Sequence, residues 1–155
     1  MQTQNHATKT ATTFRQTCSI RCEIDAPADR IWDLLTDGPR VPEWNSTVTS
    51  LAGEIALGRK LALVVPLDPK RTFRPKVTRL VPNRAMEWSD GFAPMFRGVR
   101  TFTLTAKPGR GTEFAMVEEF SGLMLPMIKR SLPDFAPAFE AYAADLKRAA
   151  EKGTR

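Results

Sequence analysis

Arg100 and Glu118 are two ionisable residues spaced to meet on an otherwise apolar surface. The stretch Thr112–Ser121 alternates so that Phe114, Met116, Glu118 and Phe120 share one face, the pattern of a half-buried strand. A carboxylate among such groups must find a partner, meet water or shift its pKa upward. Pro108-Gly-Arg110 separates this strand from Gly98–Ala106, and an odd hairpin loop is the one that sets apolar side against apolar side. In that register Arg100 faces Glu118, Phe102 faces Met116 and Leu104 faces Phe114. Two uses are then open to the charged pair. The side chains can neutralise each other in the core. They can also form the polar end of a cavity, the guanidinium holding a carboxylate or enolate while Glu118 accepts a ligand hydroxyl. Arginine does not exchange protons near neutral pH, so position 100 suits anchoring, and Glu118 is the candidate for acid–base work.

Other chemistries are excluded or weakened. The only histidine, His6, lies in a polar, Thr-rich stretch, which argues against a histidine base, a Ser-His-Asp triad and a histidine-based metal site. Cys18 and Cys22 share one strand face at i, i+4, about 13 Å apart at ~3.3 Å per residue, too far for a disulfide. They are expected as buried small hydrophobes in a reducing cytoplasm, and neither a metal nor a cofactor is expected. The net charge is +6, and Lys70, Arg71, Arg74, Lys76 and Arg79 cluster together. Arg74 and Lys76 alternate with Thr72 and Thr78 as on the solvated side of a sheet, without an aromatic recognition set, so no nucleic-acid partner is expected. Residues 1–16 lack the apolar core of a signal peptide or membrane anchor and are expected to form a flexible tail. Residues 17–152 then form a single domain, of a size that buries roughly 70% of its unfolded surface. Cytoplasmic localisation and no stable membrane anchoring follow as expectations.

The elements that must position the pair are legible in outline. Thr17–Asp25 alternates Cys18, Ile20, Cys22 and Ile24 against Ser19, Arg21 and Glu23, a first strand. A helix then begins near Asp25 or Ala26 with Pro27 in its first turn, buries Ile31, Trp32, Leu34 and Leu35, and ends at Gly38-Pro39; a helical turn is expected around Pro42-Glu-Trp44. Strands follow at Thr47–Gly53, Lys60–Val65, Thr72–Val81, Ala85–Asp90, Gly98–Ala106 and Thr112–Ser121. In Thr72–Val81 the apolar parity of Phe73, Val77 and Val81 also contains Arg79, which suggests a bulge. Phe135, Phe139, Tyr142, Leu146 and Ala149 recur at helical spacing, with Ser131 and Asp134 as a capping box; Leu123–Arg130 is a separate helical turn or the front of a kinked helix.

Candidate cavity residues are Trp44, Phe73, Trp88, Phe92, Phe96, Arg100, Phe102, Met116, Glu118, Phe120, Phe135, Phe139 and Tyr142, with ordinary core packing the competing reading for the aromatics. The nine-residue stretch Asp90–Gly98 carries Phe92, Met95 and Phe96 with no strand to bury them, and is expected to be a mobile lid or a loop folded onto the helix.

The motifs Ile24-Asp-Ala-Pro-Ala-Asp-Arg-Ile-Trp-Asp-Leu-Leu-Thr-Asp37, Val41-Pro-Glu-Trp-Asn45, Val81-Pro-Asn-Arg-Ala-Met-Glu-Trp88 and Glu119-Phe-Ser-Gly-Leu123 give the chain its likeness. It resembles the helix-grip superfamily that includes START lipid-transfer domains, birch-pollen allergens and polyketide cyclases. The resemblance implies an α+β fold: a curved seven-stranded antiparallel sheet wrapped around a long C-terminal helix, with two short helices between the first two strands and an elongated cavity inside. It implies a small hydrophobic or amphipathic molecule as partner. A cyclase or dehydratase activity, with Glu118 as base and Arg100 stabilising an enolate, and a partner-docking module of the chaperone-activator kind are the alternatives.

Overall fold

The computed structural model describes residues 5–152. Six strands form an antiparallel sheet in the order β1-β2-β9-β8-β7-β6. They are β1 (Thr8–Thr12), β2 (Arg15–Ile24), β6 (Lys76–Val81), β7 (Ala85–Phe92), β8 (Phe96–Ala106) and β9 (Thr112–Ser121). A smaller sheet holds β3 (Ser50–Ala52), β4 (Ala62–Val65) and β5 (Asp68–Phe73) in sequence order. The two are stitched by the Leu61 N–H to the Pro75 carbonyl at 2.8 Å and the Val77 N–H to the Arg59 carbonyl at 2.9 Å, beside a bridge between Lys60 and Lys76.

Three differences from the sequence-based expectation have physical reasons. Thr8–Thr12 is not a frayed tail but an edge strand on β2; all five of its residues are exposed, so it carries no alternation to read. The expected strand Thr72–Val81 is divided at Arg74-Pro75, where proline has no N–H for a ladder, and the anticipated bulge falls between Val77 and Arg79. These two changes turn seven expected strands into nine in two sheets. The expected lid is instead the tip of the β7–β8 hairpin: pairing continues to Phe92 opposite Phe96, so only Ala93, Pro94 and Met95 form the loop. That tip is tied down, because the Leu123 and Met124 N–H groups donate to the Pro94 and Met95 carbonyls, each at 2.9 Å.

Helix α1 (Ala28–Thr36) starts behind Pro27 and turns Ile31, Trp32 and Leu35 inward. A 3-10 turn at Gly38–Arg40 leads into α2 (Val41–Trp44). After β9, α3 (Leu125–Ile128) and a 3-10 turn precede the long helix α4 (Ala136–Lys152). No capping box forms there: the Asp134 carboxylate accepts the Ala136 N–H at 3.1 Å, while the Ser131 hydroxyl donates back to the Ile128 carbonyl at 2.7 Å. Phe139, Tyr142, Ala143, Leu146 and Ala150 are buried against the sheet, Ala150 taking the place expected for Ala149. Phe114 and Leu146 lie fully buried where helix and sheet meet. No described helix is long and apolar enough to cross a membrane.

Candidate functional site

The β8–β9 hairpin has the register the alternation requires, with Arg100 opposite Glu118, Phe102 opposite Met116 and Leu104 opposite Phe114. Pairing continues across neighbouring strands, so the concave face is built from rows. One row runs Trp88, Arg100, Glu118, Cys18; the next inward runs Met86, Phe102, Met116, Ile20; the next outward runs Asp90, Gly98, Phe120, Gln16. Polarity therefore falls from the outer row toward the core. Gly98 matters here because Phe120 lies across it: a Cβ at that position would sit 3.3 Å from the ring, so the missing side chain leaves room for the aromatic.

Between this face and α4 lies a cavity of about 430 Å³, lined on the sheet by Trp88, Gly98, Arg100, Met116, Glu118 and Phe120, on the helix by Ala138, Phe139 and Tyr142, and by Phe135 just before it. Its exposed lining residues, among them Leu67, Arg71, Gly91, Ser131 and Pro133, mark the mouth between the β4–β5 turn, the β7–β8 tip and the link into α4. Such a volume falls within the roughly 300–1,000 Å³ of small-molecule sites.

Of the thirteen candidates, ten line this space: Phe73, Trp88, Phe96, Arg100, Met116, Glu118, Phe120, Phe135, Phe139 and Tyr142. Three do not. Phe102 is buried beneath, packed against Trp88 at 4.9 Å and Tyr142 at 6.2 Å between ring centroids. Trp44 packs edge-on against Tyr142 at 6.0 Å, supporting α4 from behind. Phe92 points outward and is 72% exposed. Missing from the candidates were Arg71, whose guanidinium lies 4.5 Å above the Phe73 ring, and Leu63, Val65 and Leu67 of the smaller sheet. The curl that brings this sheet over the cavity depends on the break at Pro75, and the proline itself was the available signal.

Arg100 Nε donates to Glu118 Oε2 at 3.4 Å, and the guanidinium carbon stands 5.2 Å from the Phe139 ring centre, a cation–π arrangement. No other acceptor meets the guanidinium among the described residues, so its two terminal nitrogens keep their donors for the cavity. Burial pushes the Glu118 carboxyl above the usual range; Arg100 pulls it back in part, and Asp90 adds to the rise. Burial likewise raises the Tyr142 phenol, which stays a donor at neutral pH and has no hydrogen-bond partner for its hydroxyl among the described residues. The buried Trp88 Nε1–H also lacks an acceptor among the described residues. The cavity thus has a largely apolar wall with several unused donors near the Arg100–Glu118 pair, and further polar groups, among them Asp68, Arg71, Asp90 and Ser131, in its lining.

A second polar cluster is structural. Asn45 Oδ1 accepts from the Thr47 N–H at 3.0 Å and its hydroxyl at 2.6 Å, while Nδ2 donates to the Tyr142 carbonyl at 3.4 Å. Asp145 accepts from the Ser46 N–H at 2.8 Å and hydroxyl at 2.7 Å. These bonds fix α4 against the segment after α2, and through α4 they place Tyr142.

A curved antiparallel sheet gripping one long helix around an internal cavity defines a helix-grip protein of the START-like class. The chain belongs to the family described as polyketide cyclase / dehydrase and lipid transport, which it matches over residues 13–153. No curated protein matches it. Among solved structures it is similar to a protein from Mesorhizobium loti, at 22% identity and TM-score 0.69 over 90% of this chain and 99% of that one. It is similar to a START superfamily protein from Mycobacterium smegmatis at 17% identity and TM-score 0.66, covering 89% and 99%. A norcoclaurine synthase point mutant from Thalictrum, solved with a transition-state analogue, superposes with TM-score 0.71 at 13% identity, covering 94% and 100%. At these identities the likeness is one of fold.

Proposed function

We propose that the protein binds a small hydrophobic or amphipathic molecule in the cavity between sheet and α4, with its polar end at Arg100, Glu118 and Tyr142. The observation that carries this reading is the open cavity of about 430 Å³ with a largely apolar wall on sheet and helix, in which the Arg100 terminal donors and the Tyr142 hydroxyl stand unused and further polar groups such as Asp68, Arg71, Asp90 and Ser131 join the lining. An apolar body gains roughly 25 cal/mol per Å² on burial, and a guest oxygen would satisfy donors that otherwise meet only water. Cys18 and Cys22, both buried and with thiols pushed up to about 11, suit a reducing compartment such as the cytoplasm. Native mass spectrometry of the protein incubated with a panel of fatty acids, sterols and aromatic polyketides tests the proposal: a 1:1 complex weakened about tenfold or more by Arg100→Gln is expected, and a protein that stays empty across the panel overturns it.

One observation favours catalysis as a second reading. The Glu118 pKa is raised, which suits a base working near neutral pH, and Arg100 stands where it can stabilise a developing enolate. In that case Glu118→Gln retains binding and loses turnover by about a hundredfold or more; turnover that survives the change rules this mechanism out.

A further inference from the structure

Outside the cavity, three chain segments with exposed apolar side chains converge on Gly122. Its N–H donates to the Phe14 carbonyl at 3.1 Å, and the next two N–H groups bond the β7–β8 tip. Only glycine fits there, since φ is +134° and a Cβ would stand 2.3 Å from the Met95 carbonyl oxygen. The convergence gathers Phe14, Phe92, Met95, Leu123, Met124 and Met127, of which Phe92, Leu123 and Met127 are 72%, 57% and 80% exposed. Large exposed apolar groups brought together in this way call for a partner. Beside Met127 in the chain stand Lys129 and Arg130, both exposed and neither with an acidic partner among the described residues. The patch adjoins the cavity mouth directly: Met127 faces out while Ile128 lines the cavity, and Phe92 follows the mouth residue Gly91.

We propose that this face is a peripheral membrane-docking surface that seats on an anionic phospholipid bilayer, the apolar tips entering the headgroup region and Lys129 and Arg130 meeting lipid phosphates. Charge complementarity selects this occupant. A second copy of the chain, with net charge +6, would bring cations toward cations, whereas an anionic bilayer accepts both halves of the patch. A few cations with shallow apolar insertion give reversible attachment, and no described helix is long and apolar enough to cross a membrane. The surface places the mouth against a reservoir of amphipathic molecules, but docking does not require that the cavity binds any of them, and the two proposals fail separately.

Co-sedimentation of the full chain with vesicles tests it, comparing phosphatidylcholine alone with phosphatidylcholine containing phosphatidylglycerol. Binding is expected only to the anionic vesicles, weakening as salt rises. Phe92→Ser and Met127→Ser should each reduce partitioning about tenfold, and Lys129→Glu with Arg130→Glu should abolish it; all these side chains are exposed, so circular dichroism should match the parent protein. No binding to anionic vesicles overturns the proposal. So does binding indifferent to both sets of substitutions, or self-association that the serine variants abolish in a protein that ignores vesicles.

Discussion

At the scale of single residues, the Arg100–Glu118 pair decides both the electrostatics and the pH response of the interior. Glu118 holds its proton more tightly in the folded chain than in the unfolded one, so between its ordinary value of 4.5 and the raised value the native state binds more protons. Stability therefore falls as pH rises through that window, and the cost of the buried charge is carried in full above it. Glu118→Gln removes this titration, and thermal melts from about pH 4 to 8 should show its share of the slope gone. Arg100→Met acts oppositely by leaving the carboxylate unpaired. The two side chains are 19% and 15% exposed, so water recovers part of the loss, and a cost of about 1–3 kcal/mol at pH 7 is expected, shrinking as pH falls through the raised titration range of Glu118, above its ordinary 4.5, where the buried carboxyl takes up its proton. Replacing both by Met should recover most of that loss in urea melts, because no orphaned charge remains. The pairing itself was legible in the sequence: alternation fixed the face and the odd loop fixed the register. Phe102 shares that face yet lies under Trp88 and Tyr142, since alternation says which side a residue takes and not what covers it.

At the scale of elements, the positions that set the mouth are backbone constraints. Gly122→Ala must open the contact with the Met95 carbonyl and adopt a φ near +134°, so a loss of about 1–3 kcal/mol is expected, with hydrogen exchange accelerating first at the Leu123 and Met124 amides. Asn45→Ala leaves the Thr47 donors without their side-chain acceptor and frees the Tyr142 carbonyl, for about 1–3 kcal/mol read by chemical denaturation. Elements with a strong apolar period were visible beforehand: Thr112–Ser121 begins and ends where the alternation does. Elements held by pairing alone were not. Thr8–Thr12 owes its existence to the free edge of β2, and the outer end of the β7–β8 hairpin to pairing that runs past the last buried residue. In both cases the partner is the other arm of a hairpin and the paired stretch is exposed, so no buried face imposes an alternation that the sequence would show.

At the scale of the whole molecule, the question is whether the helix plugs the sheet or leaves room, and Ala138 lets that be asked by experiment. It lies on α4 with its small side chain toward the cavity, between Phe135 and Tyr142 in sequence. Its smallness leaves space that the large residues around it do not fill. Ala138→Leu adds three carbon groups to that space. In a filled core such an insertion forces neighbours from their rotamers and costs about 1–3 kcal/mol. In an open cavity the same groups leave water for apolar surroundings and gain up to about 0.8 kcal/mol each, while occupying volume a guest would need. The cavity of about 430 Å³ predicts the second outcome: a melting temperature equal to or above that of the parent protein, and affinity for a guest identified by native mass spectrometry reduced about tenfold or more. A destabilised variant would mean that α4 already fills the sheet's concave face, and the ligand-binding reading would then lose the space on which it depends.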